Sequence, residues 1–395
     1  MIIRPMYIAA LCVAAFLATT GNAVEIQRSV KTPAPHFYLA DIMGGIGQTA
    51  LSNLFSVPRD EYTRANRVFT LGDGTQLGAL YFPTQHPEKS PLIIANFGLF
   101  TNRRSHPAAG FIRYIIKSGQ LHASVLIVDS ATSAAFFIRN GELSIGGYDE
   151  GRILVELADA LVKSGVHFSS LHLLGVSLGG NAVLQALIED ARLGGKRFSS
   201  AMVFNAVLNE EESSQAVLSA FGHPLAGLPE KEHYGLEGWL IIDTMFSHFN
   251  DKLLARGEPP APPPWQTKGE FFYTEFESRL QTINLGMAWP MNPSWNHMVA
   301  TDSVEDYIRT SSALAQQQID RIHVPVIVVQ SKNDPIVPYE QFTELQNAEI
   351  KNPYIETLST SEGGHWGFMA TYGPKWVRQL VQRMLRSASQ PLVEH

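Results

Sequence analysis

Short apolar runs without polar alternation recur along the chain, and segments of helical periodicity separate them. The runs are residues 91–97, 124–129, 171–176, 201–205 and 323–330, and a strand-like segment at 355–358 closes the series. Residues 148–161 carry apolar side chains at helical spacing, at Ile153, Leu154, Leu157 and Leu161. Strands without alternation that are separated by helices predict an α/β fold with a mostly parallel central sheet and helices on both faces.

A pair of alternating strands precedes these runs. Residues 67–71 and 77–82 read as two strands, and Gly72, Asp73 and Gly74 lie between them. An Asp-Gly pair between two strand-like runs is a hairpin signal. We therefore expect an antiparallel hairpin at the start of the sheet.

The rhythm of strands and helices divides the chain into five segments. Residues 1–23 are predicted to be a signal peptide and 24–65 a lead-in that contains a helix-like patch. Residues 66–208 and 302–388 form two parts of one α/β core, which residues 209–301 interrupt. The length of the chain fits one large domain with an insertion, or two domains.

The segment 209–301 differs from the core in composition. It contains a dense proline run at 259–264, which is typical of a stiff connector. Its position between the two core parts predicts a cap over the functional site; the alternative is a surface excursion with no role in binding. The segment is also rich in aromatic residues, among them Trp239, Phe246, Phe249, Trp265, Phe271, Phe272, Tyr273, Trp289 and Trp295. These side chains fit two interpretations equally: contact with an acyl chain or aromatic ester, or the cap's own core.

The N-terminus has the composition of a secretory signal. Arg4 precedes an apolar run at 8–17, and small residues at 21–23 offer a cleavage site before Val24. Such a run is roughly half the length that spans a bilayer. Cys12 is the only cysteine, so the cleaved chain has no disulfide, which favours a bacterial periplasm or secretion. The alternative is an uncleaved N-terminus that anchors the protein to a membrane.

Charge and motif content exclude several classes of function. The net charge is −7 and no long basic run occurs, which disfavours a nucleic-acid partner. No H-x-H, H-E-x-x-H or C-x-x-C spacing occurs, so we expect neither a metal nor another cofactor. Nothing in the sequence predicts an obligate protein partner.

The chemistry-bearing pattern is G-V-S-L-G at residues 175–179. An apolar strand precedes it and good helix formers follow it, which is the layout of a nucleophile elbow. Gly175 and Gly179 fit such a tight turn because neither carries a Cβ. The pattern alone also occurs by chance in Gly/Ser loops, but its context makes Ser177 the candidate nucleophile.

Two later positions supply the partners that a serine nucleophile needs. Asp334 follows the strand 323–330 directly, and His365 follows the strand 355–358 in a glycine-rich loop. The order Ser, acid, His is the one that this kind of sheet uses. Ser177, Asp334 and His365 are therefore the predicted catalytic residues, whereas His172 and His323 lie at or inside strands and are expected to be structural.

An oxyanion hole requires two backbone N–H donors near the nucleophile. Leu178, directly after Ser177, is the first candidate. The second is expected in the loop after the strand 91–97, where Leu99 is the first choice and Phe100 the second. Gly98 allows the backbone to approach closely there.

Residues 66–385 resemble the α/β-hydrolase superfamily and, within it, the YheT-like branch of hydrolases, lipases and acyltransferases. The segments that carry the resemblance are 175–181, 306–313 with 322–325, 333–335 and 363–368. The resemblance implies the α/β-hydrolase fold and the same three catalytic residues. This chain has Phe97-Gly98 where that branch usually has His-Gly, and the segment 209–301 has no counterpart.

These observations predict a serine hydrolase of carboxylic esters that acts through an acyl-enzyme on a small-molecule ester or lipid-like substrate. Three alternatives remain open: acyl transfer to an alcohol, cleavage of an amide or peptide, and a non-catalytic binding protein that keeps the fold.

Overall fold

The computed structural model describes most of the predicted core. The described residues are 32–34, 45, 47–49, 60–99, 101–140, 147–210, 212–213, 311–347 and 352–388. The predicted signal peptide 1–23 lies outside them, as does almost all of the predicted cap 209–301. Within the described ranges, no helix combines the length and the apolar character that crossing a membrane requires.

The described residues form one eight-stranded sheet. Its strands are β1 (Asn66–Thr70), β2 (Gln76–Phe82), β3 (Leu92–Asn96), β4 (Ser124–Val128), β5 (Leu171–Val176), β6 (Ser200–Phe204), β7 (Val326–Ser331) and β8 (Ile355–Thr360). Their spatial order is β1-β2-β4-β3-β5-β6-β7-β8. β2 pairs antiparallel with both β1 and β4, and every other pair is parallel. This is the topology of the α/β-hydrolase fold, so the predicted fold class and the predicted hairpin are confirmed.

Helices lie between the parallel strands and after β8. They are α1 (His106–Phe111), which continues as a π-helical turn (Ile112–Ile116), α2 (Ala134–Asn140), α3 (Tyr148–Lys163), α4 (Leu178–Arg192), α5 (Tyr339–Gln346), α6 (Phe368–Thr371) and α7 (Pro374–Ser387). The helix predicted at 148–161 is α3. It ends at Lys163, and Gly165, two residues later, has a φ of +72°, which glycine adopts without strain.

The sheet has an apolar layer on each face. In β3, Leu92 and Ile94 join the layer that α3 and α4 cover, whereas Ile93 and Ala95 join the layer under α1 and α7. Successive side chains of a strand point to opposite faces, so a strand buried on both faces is apolar throughout. The prediction of helices on both faces is confirmed.

The parallel strands all point in one direction, so the residues that follow them gather at one edge of the sheet. Residues 97–99 follow β3, residue 177 follows β5, residue 205 follows β6, and residue 334 lies just beyond β7. Functional sites of open α/β sheets form at this edge.

Candidate active site

Ser177 occupies the sharp turn between β5 and α4. Its φ is 59° and its ψ is −131°. Among the described residues, Ser177 and Asn205 are the two non-glycine residues with positive φ. Such a conformation costs of order 1–3 kcal/mol and persists where the surroundings enforce it, which is frequent at functional sites. The strand, turn and helix expected around Ser177 are thus present.

Glycines make room for this turn. A Cβ on Gly175 would lie 2.4 Å from the carbonyl oxygen of Gly179, and one on Gly179 would lie 2.5 Å from the carbonyl oxygen of Asn96. A Cβ on Gly180 would lie 2.7 Å from the Cβ of Ala206. The turn is therefore packed against itself and against the residues that follow β3 and β6.

Asp334 and His365 form a buried hydrogen-bonded pair. The Nδ1 of His365 lies 3.0 Å from both carboxylate oxygens of Asp334. Oδ1 of Asp334 also accepts the N–H of Ile336 at 2.8 Å, which orients the carboxylate. A carboxylate partner requires the proton on Nδ1, so the other nitrogen of the neutral ring, Nε2, is available as a base.

The segment that follows β6 joins the serine turn to the histidine loop. The N–H of Ser177 donates to the carbonyl of Phe204 at 3.0 Å, and the N–H of Val207 donates to the carbonyl of Ser177 at 3.3 Å. Between these two contacts, the Nδ2 of Asn205 donates to the carbonyls of Gly364 at 2.6 Å and of His365 at 2.7 Å. The main chains of Ser177 and His365 are therefore hydrogen-bonded to the same four residues, 204–207.

Asn205 is a site residue that the sequence did not reveal. Its φ is +44°, in the left-handed region that asparagine tolerates better than most residues. Its Oδ1 accepts the N–H of Ser331 at 2.8 Å, at the end of β7. The available signal was an amide directly after an apolar strand at the functional edge of the sheet.

The loop after β3 runs directly against the elbow. Gly98 has a φ of +89°, and a Cβ on it would lie 2.7 Å from the carbonyl oxygen of Val176 and 3.1 Å from the nitrogen of Leu178. Leu178 is the first residue of α4, where helix geometry provides no intrahelical acceptor for its N–H. The two segments that were expected to supply oxyanion donors therefore lie side by side.

Side chains fix the course of this loop before and after Leu99. The N–H of Gly98 donates to Oδ1 of Asn96 at 3.0 Å, and the hydroxyl of Thr101 donates to the carbonyl of Gly98 at 2.7 Å. Phe100, the second choice for the donor, lies outside the described residues. The roles of Leu99 and Leu178 remain predictions.

Described residues that flank the predicted cap in the sequence lie close to the elbow. The amide of Asn181, on the first turn of α4, donates to the carbonyls of Val207 and Ser311 at 2.8 Å each. The N–H of Glu210 donates to the hydroxyl of Ser312 at 2.8 Å. Val207 and Ser311, one before and one after the predicted cap, thus both bond to the first turn of α4. The function of the intervening segment as a cap stays a prediction.

His172 lies at the opposite end of β5. Its Nε2 and Nδ1 each lie 2.8 Å from a serine hydroxyl, Ser170 and Ser200 respectively. Burial lowers the pKa of His172 to about 4, so the ring is neutral near pH 7. These contacts make it a structural residue. In the part of the chain that the structure describes, no three His, Cys, Asp or Glu side chains gather as metal ligands would.

No family model matches the chain. Similar solved structures include a puromycin-hydrolyzing peptidase from Mycobacterium tuberculosis, 19% identical with a TM-score of 0.47 over 87% of this chain. This chain spans only 41% of that peptidase. An esterase from Pyrococcus furiosus is 16% identical with a TM-score of 0.48, over 81% of this chain and 91% of its own. A putative lipase from Acinetobacter baumannii is 15% identical with a TM-score of 0.42, over 87% and 96% of the two chains.

Proposed function

We propose that this protein is a serine hydrolase of carboxylic esters, with Ser177 as nucleophile, His365 as base and Asp334 as its partner. One observation carries the proposal. The same short segment, 204–207, is hydrogen-bonded to a serine in a strained turn and to the histidine of a buried Asp–His pair. A weak nucleophile, a base and a group that orients the base are the components of nucleophilic catalysis by serine.

In the proposed mechanism, Nε2 of His365 takes the proton from the hydroxyl of Ser177 as the oxygen attacks the ester carbonyl. The N–H groups of Leu99 and Leu178 stabilise the oxyanion of the tetrahedral intermediate. The intermediate collapses, and His365 gives its proton to the departing alcohol. Water, deprotonated by His365, then attacks the acyl-enzyme, and His365 returns the proton to the oxygen of Ser177 as the acid is released. Throughout, the carboxylate of Asp334 accepts a hydrogen bond from Nδ1–H of His365 and stabilises the charged ring.

The proposed substrate is a small-molecule ester or a lipid-like ester. The support comes from the aromatic residues of the segment 209–301 and from the bonds of α4 to Val207 and Ser311, which flank that segment in the sequence. The G-G-H-x-G-F ending at 363–368 supports membership of the YheT-like branch. The choice between water and an alcohol as acyl acceptor depends on what reaches the acyl-enzyme.

A fluorophosphonate probe tests the mechanism without knowledge of the substrate, because it reacts with an activated serine. We expect the full-length protein to be labelled and Ser177→Ala to be unlabelled, with circular dichroism showing that both are folded. Labelling of both proteins, or of neither, contradicts the proposal. Nitrophenyl esters of graded chain length then define the acyl group, and addition of an alcohol separates transfer from hydrolysis.

The proposed location is the bacterial periplasm or the medium, after cleavage before Val24. N-terminal sequencing of the protein recovered from an expressing bacterium tests this directly. A mature chain that begins at Val24 in the periplasmic or secreted fraction supports the proposal. An intact Met1 in the membrane fraction favours the anchored alternative.

A further inference from the structure

Residues of the predicted lead-in lie against the loops that carry Asp334 and His365. A Cβ on Gly364 would lie 2.2 Å from the carbonyl oxygen of Gly45, and one on Gly367 would lie 2.9 Å from that of Gln48. A Cβ on Gly45 would lie 1.7 Å from the carbonyl oxygen of Asn333. Glycines on both sides thus allow the two backbones to touch.

Gln48 bonds to both loops at once. It is fully buried, and its Oε1 accepts the Nδ2 of Asn333 and the N–H of Gly363, each at 2.9 Å. Its Nε2 donates to the carboxylate of Glu362. Asn333 directly precedes Asp334, and Gly363 lies two residues before His365. One side-chain amide therefore links the residues next to both members of the Asp–His pair.

Two further bonds reinforce this link. Oδ1 of Asn333 accepts the N–H of Gly364 at 2.9 Å, so the acid loop also bonds to the histidine loop directly. The hydroxyl of Thr49 accepts the N–H of His365 at 2.8 Å and donates to the carbonyl of Gly45 at 2.8 Å. The backbone of His365 is thereby bonded to the same N-terminal residues.

The sheet beneath does not depend on these bonds. β7 and β8 pair in parallel up to Ser331 and Thr360, and the N–H of Lys332 donates to the carbonyl of Thr360 at 2.8 Å. Both loops begin beyond this point. The contacts of Gln48 therefore act on the loop residues that set the position of Asp334 relative to His365, above strands that are already paired.

We propose that Gln48 is a positioning residue of the active site, so that the N-terminal segment completes a site whose catalytic residues all lie in the core. The inference rests on the proposed serine mechanism. An amide suits the position because its oxygen accepts two N–H groups while its nitrogen donates to a carboxylate, a bond that charge strengthens. A shift of about 1 Å in a reacting group can lower a rate about 100-fold.

Gln48→Met tests the proposal, because methionine keeps most of the volume and removes the hydrogen bonds. Gln341→Met is the matched control. Gln341 is also fully buried, and its Oε1 accepts the N–H groups of Leu208 and Asn209 at 3.1 and 2.9 Å, so its side chain bonds to the segment after β6 and not to the two loops. The measurements are the rate of fluorophosphonate labelling against pH, and kcat and KM for a nitrophenyl ester.

For Gln48→Met we expect labelling and kcat to fall about 10- to 100-fold with little change in KM, because the Asp–His pair is misplaced. The acidic limb of the pH–rate profile should move to lower pH, because a displaced Asp334 stabilises the charged ring less. Gln341→Met should keep the wild-type pH profile, whatever stability it loses.

Gln48→Glu provides a second variant that keeps the size and the accepting oxygen. The new carboxyl can form a hydrogen bond with the carboxylate of Glu362 only when one of the two groups is protonated. We therefore expect its rate, relative to Gln48→Met, to rise as the pH falls. A Gln48→Met protein with wild-type kcat and the wild-type pH–rate profile would overturn the inference. If Gln48→Met does not fold, the rate of Gln48→Glu is compared with that of wild type. A ratio of these two rates that does not change with pH would also overturn the inference. Labelling of Ser177→Ala would instead overturn the serine mechanism.

Discussion

The serine half and the acid–histidine half of the candidate site are held together in different ways. Ser177 is fixed by backbone packing, since the glycines around it lie against neighbouring main chain at distances that no Cβ allows. Asp334 and His365 are fixed by side-chain amides from remote positions, Gln48 and Asn205. The serine half depends on glycines, which leave room for neighbouring main chain, and the acid–histidine half depends on particular polar side-chain atoms.

This difference determines how each half fails. Added volume at a glycine in the serine half must displace backbone, and close-packed interiors resist such displacement. Loss of an amide in the acid–histidine half leaves buried N–H and C=O groups unpaired, at about 1–3 kcal/mol each. The serine half is thus sensitive to size, and the other half to the loss of hydrogen bonds.

The largest effect is expected for Gly179→Ala. Its Cβ would lie 2.5 Å from the carbonyl oxygen of Asn96 and 2.7 Å from the nitrogen of Gly98. Both are backbone atoms next to β3, so we expect a loss of about 3 kcal/mol in the free energy of unfolding and no labelling. Urea denaturation and fluorophosphonate labelling measure the two effects.

Gly194→Ala is the control for Gly179→Ala. Gly194 has a φ of +65° and no atom within 4 Å of the added Cβ. It should lose only about 1 kcal/mol, from backbone strain, and keep full labelling. Equal losses in the two variants would show that close packing at the elbow is not what limits the serine half.

Asp334→Asn should leave the structure almost unchanged and lower kcat about 10⁴-fold, the loss observed for the same change in a serine protease. The side chain keeps its size, but an amide neither stabilises the charged ring nor enforces the proton on Nδ1. Ester hydrolysis and labelling measure the loss, with thermal unfolding as the check on folding. A decrease of less than about tenfold would remove Asp334 from the mechanism.

Asn205→Ala tests the residue that joins the two halves. The change removes the donor to the carbonyls of Gly364 and His365 and the acceptor for the N–H of Ser331, and it puts alanine at a φ of +44°. We expect a loss of about 3 kcal/mol in stability and a roughly tenfold slower labelling. Asn205→Gly relieves the strain but does not restore the lost hydrogen bonds. Recovery of the labelling rate in Asn205→Gly would therefore contradict a role for the amide.

The sequence predicted the serine half well, because local signals encode it. The strands were expected within a few residues of where they lie, and the glycines around Ser177 indicated the turn. β7 begins at Val326 and not at residue 323, since Pro325 has no N–H to contribute to the sheet. Asp334 and His365 were candidates because both follow predicted strands, and the structure pairs their side chains.

The amides that hold the acid–histidine half were not predictable in this way. Gln48 lies 285 residues from Asn333 and 315 from Gly363, and Asn205 lies 160 from His365. An isolated Gln or Asn has no sequence pattern that identifies its partner, which the fold alone determines. The glycines at 44, 45 and 47 were a signal of close packing near Gln48, but not of what packs there.

The smallest effect on activity is expected for His172→Gln, at the other end of the strand that carries Ser177. The pKa of His172 is lowered to about 4, below an unfolded value near 6.5, so the unfolded chain binds more protons between these values. Native stability is therefore lost as pH falls from about 6.5 to about 4, by up to about 3 kcal/mol. Glutamine does not titrate, so the variant should lose less stability than wild type between about pH 7 and about pH 5 in urea denaturation. The variant should be labelled at the wild-type rate near pH 7, because the elbow is held by its own backbone contacts. Slower labelling of a folded variant would show that the serine half also depends on the far end of β5.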